Sequence, residues 1–319
     1  MNQEKGLQAG VVRRKRRRVG RLMLAFFIVF VLAVVAACGV RLIRARSRSG
    51  VSISYLNKKW NEYDYRAVYD SSAAILRERP FNNTALTLHG YAAFFLALAE
   101  MNTTQAQAYL DEAINVLRVA LLGAKPRTFA QIEYMLGKAY FYKNSMSSYY
   151  YYADLVVQYL QRAQQDGYYS DDIPEFLGLS YAALGMTMES IAAFTKALLV
   201  RESDLLLLSI AEQYHKAGQD AAAAQYLYRI SIDCRDEKIV LRSHFLLGNI
   251  YIGQEKYADA EQEFKTILEK SENSADAYYG LGVIYEKQGD VIKARSEWRR
   301  ALRMQPNHAE ALKKLAEYK

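Results

Sequence analysis

Residues 278–306, YYGLGVIYEKQGDVIKARSEWRRALRMQP, decide the fold. Tyr278, Leu281, Gly282 and Tyr285 fall at helical spacing, Gly289 interrupts, Ala294, Trp298 and Ala301 form a second helical row, and Pro306 ends it. A step of 34 residues back, His244, Leu247, Gly248, Tyr251, Ala260, Phe264 and Ile267 stand at the same offsets. Glycine inside a helix costs about 1 kcal/mol against alanine. Gly282 and Gly248 are therefore best explained by a second helix packed so close that a side chain would clash, with the small Ala294 and Ala260 facing the same contact. Gly289 fits the positive φ that ends a helix, and Pro306 stops the next one.

This order of bulky, small and aromatic positions resembles the tetratricopeptide repeat (TPR), a helix-turn-helix unit of 34 residues. The signal continues towards the N-terminus. Ile210, Ala211, Tyr214, Gly218, Ala223, Leu227 and Ile230 make a third copy, and Leu177, Gly178, Tyr181, Gly185, Ser190, Phe194 and Ala197 a fourth. Leu136, Gly137 and Tyr140 open a fifth, with a late second helix around Ala153, Val157 and Leu160. Leu86, Gly90, Leu110, Ile114 and Leu117 suggest a sixth, and Tyr55, Ala67 and Ala74 before Pro80 a seventh. Residues 51–319 thus read as all-α, a right-handed α-solenoid of about seven TPR-like helix pairs in which each unit buries its apolar face on its neighbours. The run from Asn307 reads as a polar capping helix, with Ala311, Leu312 and Leu315 inward and Lys313 and Lys314 outward.

Three segments precede the repeats. Residues 22–40 carry no charge, and 19 helical residues reach about 28 Å, close to a hydrocarbon core. Residues 1–21 form a basic tail read as cytoplasmic, and 41–50 a linker. Arg13, Arg14, Lys15, Arg16, Arg17, Arg18 and Arg21 outweigh Arg41, Arg44, Arg46 and Arg48, so positive-inside topology leaves the N-terminus in the cytoplasm and the repeats outside it, in a periplasm. Val35-Ala36-Ala37-Cys38 also resembles a bacterial lipobox, which would make Cys38 a lipidation site at the end of a signal segment. The cationic stretch after Cys38 hinders export and favours an uncleaved transmembrane helix. Both readings deliver the repeats to the same side.

Charge excludes one class of partner. Residues 1–50 hold twelve Lys or Arg against one Glu, which leaves 30 basic and 33 acidic residues from 51 onward. The repeats lack the basic surface that nucleic-acid binding needs. Cys38 and Cys234 are the only cysteines, so no disulfide framework holds the fold.

No local motif for chemistry appears. His89, His215, His244 and His308 lie in different units without metal-ligand spacing, and there is no phosphate loop, dinucleotide fingerprint or nucleophile elbow. His244, at the bulky first position of its repeat, reads as a packed core residue. Asp171, Asp172 and Asp220 read as helix-start residues. The expectation is a protein without enzymatic activity, cofactor or metal.

Tyrosine is in excess, 26 of 319 residues, including Tyr149-Tyr150-Tyr151-Tyr152, which cannot all face one side of a helix. Repeat positions consume several; others are candidates for a binding surface. The resemblance implies that the first helix of each unit lines a groove accepting a peptide or extended segment. By register this places Tyr91, Phe94 and Phe95 beside Tyr134, Lys138, Phe141 and Tyr142, followed by His215 and Lys216, then Arg242, Phe245 and Asn249, then Tyr279, Val283 and Lys287. Aromatics interleaved with lysine suit a peptide with apolar anchors and acidic groups. The Lys and Asn set that clamps a terminal carboxylate in some TPR co-chaperones is not reproduced.

The leading expectation is a membrane-tethered, extracytoplasmic scaffold that binds protein partners in assembly, secretion or chaperoning in a bacterial envelope. The alternative is a ligand-binding or transport-accessory lipoprotein holding a small solute in an aromatic pocket.

Overall fold

A computed structural model describes residues 35, 52–146, 151–230 and 234–318. The tail 1–21, the apolar segment 22–40 apart from Val35, the linker 41–50, Cys38, Tyr149 and Tyr150 lie outside the described residues. Among the described residues there are fifteen helices and no strand, and no helix is long and apolar enough to cross a membrane. The helices are α1 (Ile53–Asn61), α2 (Tyr65–Glu78), α3 (Asn83–Ala99), α4 (Thr103–Leu122), α5 (Pro126–Met146), α6 (Ala153–Gln165), α7 (Ile173–Ala183), α8 (Thr187–Leu198), α9 (Asp204–Lys216), α10 (Asp220–Leu227), α11 (Glu237–Gly253), α12 (Tyr257–Lys270), α13 (Ala275–Lys287), α14 (Val291–Met304) and α15 (Ala309–Glu317). They divide into two compact units, one up to Ala92 and one from Ala93.

In the first unit, Ser52 and Asp64 cap α1 and α2 by accepting the N–H groups of Tyr55 and Ala67. Leu56, Val68 and Ile75 form its core with Ala85, Leu88 and Ala92. The expected Tyr55, Ala67 and Ala74 are therefore one residue out of register. Tyr55 is 39% exposed whereas Leu56 is fully buried, since the larger aliphatic row, rather than the small one beside it, faces inward.

In the second unit α5 packs on α6, α7 on α8, α9 on α10, α11 on α12 and α13 on α14. Each second helix also meets the first helix of the next pair, and the first helices α5 and α7, α9 and α11, and α11 and α13 touch directly. These contacts join near neighbours in sequence, as expected of stacked helix pairs. The glycine reading is confirmed where it was sharpest. A Cβ on Gly282 would stand 2.4 Å from Trp298 Nε1 and 3.0 Å from the Ala294 carbonyl oxygen, and Gly289 turns between the helices at φ 84°. Trp298 is fully buried over that glycine.

The late second helix of the fifth copy is α6, although Val156 rather than Val157 takes the buried place. The C-terminal helix differs more. Ala311 is buried, Leu315 half-buried, and Leu312 is 47% exposed. Beside this packing, α15 has polar anchors: His308, buried, accepts the Ala311 N–H at its cap and reaches Asp276, while Lys314 and Tyr318 both bind Glu286 of α13. Lys314 therefore points inward, drawn to the half-buried carboxylate of Glu286 on α13.

Candidate protein-interaction surface

Helix α5 is held against α6 at Gly137, where a Cβ would come within 2.6 Å of Leu160. Tyr134, Lys138, Phe141 and Tyr142, at i, i+4, i+7 and i+8, form one stripe of α5 beside that contact. Asp172 and Phe176, one turn apart at the start of α7, meet them there.

The polar half of this site centres on Asp172. Lys138 Nζ lies 2.8 Å from Asp172 Oδ2 and 3.1 Å from the Tyr134 hydroxyl, which donates to the same carboxylate at 2.7 Å. Ser170 donates to Oδ1 at 2.6 Å, and the Tyr168 ring lies 4.7 Å from that of Tyr134. Burial by itself would push the Asp172 carboxyl up, but hydrogen bonds from Lys138, Ser170 and Tyr134 together outweigh it and hold the group below the usual carboxylate range. Burial likewise opposes charge on Lys138, and the bonds to Asp172 and Tyr134 raise it nonetheless. The pair is charged at neutral pH and satisfied internally.

The aromatic half is continuous. Phe141 packs on Phe176 at 4.7 Å and on Tyr142 at 5.6 Å; Tyr142 meets Phe94 at 5.7 Å, and Phe94 meets Phe95 at 5.3 Å. Lys138 Nζ lies 5.3 Å from the Phe176 ring centre, within cation-π reach. Beside Asp172 is an open depression of about 420 Å³, in which Asp171, Asp172, Glu175 and Arg201 surround Val200 and Leu206.

The expected site residues separate by burial. Phe94 and Tyr134 are buried, and Tyr91, in the first unit, is buried against Trp60 at 5.8 Å. Phe95, Lys138, Phe141 and Tyr142 are half-buried and reach the surface. Phe176, Asp172 and Ser170 complete the site but were not singled out by sequence as binding residues. Asp172 does precede α7, as read, yet it makes no side-chain cap bond because its oxygens are engaged by Lys138, Tyr134 and Ser170.

The remaining groove candidates are scattered among separate partners. His215 binds Asp220 at 2.7 Å, Arg242 binds Glu212 at 2.8 Å while lying over Phe245, and Tyr279 sits under His308. His244 is half-buried and hydrogen-bonded to Glu263 at 2.6 Å, so it is a paired polar residue and not core; an imidazole in the bulky position is pulled towards the carboxylate on α12.

Residues 245–307 match the family model TPR_16, tetratricopeptide repeat. No curated protein matches the chain in sequence. Among solved structures, the C-terminal part of a TPR repeat-containing protein from Cytophaga hutchinsonii is 13% identical, with 83% of this chain and 99% of that chain covered and a TM-score of 0.56. The APC/C hetero-tetramer Cut9–Hcn1 is 14% identical with a TM-score of 0.51; the match covers 88% of this chain and 51% of that one. YrrB, described as a TPR protein with an unusual peptide-binding site, is 21% identical over 64% of this chain and 98% of its own, with a TM-score of 0.47. TPR domains bind protein or peptide partners and are generally non-enzymatic scaffolds. The repeat sequence is matched in α11 to α14, and the paired-helix fold is similar to that of the Cytophaga hutchinsonii structure.

Proposed function

We propose that this protein is a membrane-tethered TPR scaffold whose repeats lie outside the cytoplasm, as a right-handed stack, and capture an extended segment of a partner protein on the face shared by Phe95, Phe141, Tyr142 and Phe176. The observation that carries the reading is the chain of ring contacts that joins half-buried Phe95, through buried Phe94, to half-buried Tyr142, Phe141 and Phe176 on successive first helices, an arrangement suited to apolar anchors. The chemistry of the partner differs from the sequence expectation. Lys138 is committed to Asp172, and the adjoining depression sets the carboxylates of Asp171, Asp172 and Glu175 against a single cation, Arg201, 3.9 Å from Glu175. A segment with an aromatic or aliphatic anchor followed by a basic residue fits this surface best. The tether rests on the uncharged segment 22–40 and its flanking arginines.

The test is crosslinking in membranes followed by affinity purification of the full-length chain, comparing wild type with the double variant Phe95→Ala, Tyr142→Ala. Truncating aromatic anchors should cost about 2 kcal/mol or more in binding and deplete specific partners. Unchanged capture with an unchanged melting temperature removes this surface from consideration.

A further inference from the structure

Directly behind the interaction face, α5 carries a second titratable group that the proposed recognition does not use. Glu133 is 1% exposed, and its Oε2 has no hydrogen-bond partner. The acidic group that acts on it is Asp166, the residue at the C-terminal cap of α6. Two carboxyl groups cannot hydrogen-bond each other unless one holds a proton, because two carboxylates offer only acceptors and repel. The partnerless Oε2 is consistent with a neutral acid, since a buried anion with one oxygen unsolvated would be far costlier than a buried carbonyl.

We infer that Glu133 and Asp166 form a proton-binding site: one proton held between the two carboxyls is part of the folded α5–α6 pair, and its release as the solution becomes more alkaline loosens that pair behind the aromatic surface. The proton resides on Glu133 rather than on the exposed Asp166. Burial is the leading cause, followed by the hydrogen bond and charge of Asp166; together they push Glu133 up to about 7, against the opposing charge of Arg162 one turn earlier on α6. No other charged side chain among the described residues acts on it. The folded state therefore binds more protons than the unfolded one between the ordinary value of 4.5 and about 7, so stability falls as pH rises across that window and levels off above it. Binding at the neighbouring face would inherit this dependence, but the proton site stands on its own geometry.

Hydrogen exchange of α5 and α6 amides in the full-length protein, corrected for intrinsic rates, tests this. In wild type the local opening constant should rise about tenfold per pH unit between roughly pH 5 and 7, and Glu133→Gln, which keeps a donor towards Asp166, should abolish the rise. A wild type without the rise, or a Gln variant that retains it, overturns the inference. Should Glu133→Gln fail to fold, Asp166→Asn at the exposed partner provides the second reading. Removing that negative charge should end the rise at a lower pH, and an unaltered profile overturns the proposal.

Discussion

The ring of Phe264 on α12 rests on Gly280 of α13, so closely that a Cβ there would stand 2.3 Å from its Cζ; the same ring meets Gly248 of α11 from the other side, at 2.7 Å. One fully buried phenylalanine is thus gripped by glycines of two successive first helices. The interface between repeats is set by this ring as much as by the contact within each pair.

Gly280→Ala should therefore destabilise the protein despite alanine's better helix propensity. Overpacking costs about 1 to 3 kcal/mol, against a propensity gain of about 1 kcal/mol. Gly253→Ala is the control, because its Cβ would find only Asp220 at an ordinary 3.6 Å. Thermal melts of the two variants should move in opposite directions.

Glu255 occupies the turn place that Gly289 fills in the following repeat, and adopts φ 59°. Lys256 N–H bonds the Tyr251 carbonyl at 2.9 Å there, as Asp290 N–H bonds that of Tyr285. A side chain in this region is strained, so Glu255→Gly should raise stability by about 0.5 to 1 kcal/mol once the greater freedom of the unfolded glycine is subtracted. A lower urea midpoint would show that Glu255 contributes more than its backbone strain costs.

Asp172 is held low, so its contribution to stability is complete above its unfolded value and is lost as pH falls through the folded value. Lys138 is held high, and its contribution persists until pH passes above its own folded value. Stability from this pair should be flat through neutral pH. Lys138→Met leaves the Asp172 carboxylate without its cation, so acid unfolding monitored by circular dichroism should start from a less stable protein and lose less as pH falls. An acid limb as steep as that of wild type would refute the coupling.

How much of this was legible in the sequence depended on whether a position had a redundant signal. Gly282, Gly289 and Trp298 reinforce one another, and the last pair was read residue by residue. In α2, Ala67 and Ala74 share the same seven-residue spacing as Val68 and Ile75, and periodicity alone cannot choose between adjacent rows; packing chose the larger side chains. Gly280 was passed over because its partner Phe264 belongs to the previous repeat, and the motif describes each repeat singly. Phe95, Phe141 and Tyr142 were found by register. Phe176 and Asp172 were missed because their roles depend on how α7 meets α5, a contact that no spacing within either helix encodes.

The topology is open to a direct measurement. A reporter active only outside the cytoplasm, fused after Lys319, should be active if the arginine bias around residues 22–40 orients the chain. Activity of a cytoplasm-restricted reporter instead would reverse the assignment.

The attachment can be resolved in the same cells. Cys38→Ala should leave size and membrane association unchanged for an uncleaved helix. Accumulation of a larger precursor with loss of lipid labelling would establish the lipoprotein alternative.

The spacing of the mid-helix small residues is uneven: Gly137 to Gly178 is 41 residues, Gly178 to Ala211 is 33, Ala211 to Gly248 is 37 and Gly248 to Gly282 is 34. Within the pairs, α7 to α8, α9 to α10, α11 to α12 and α13 to α14 are each joined by three residues, whereas six separate α5 from α6. Yet α5 and α6 pack as closely as the others. Of the seven residues by which the Gly137–Gly178 step exceeds 34, four lengthen α5 beyond its glycine and three lengthen its connection to α6. Extra length is taken up at helix ends and turns while the packing around the small residues is kept, so such a chain can grow or shrink by evolution there without renegotiating its core.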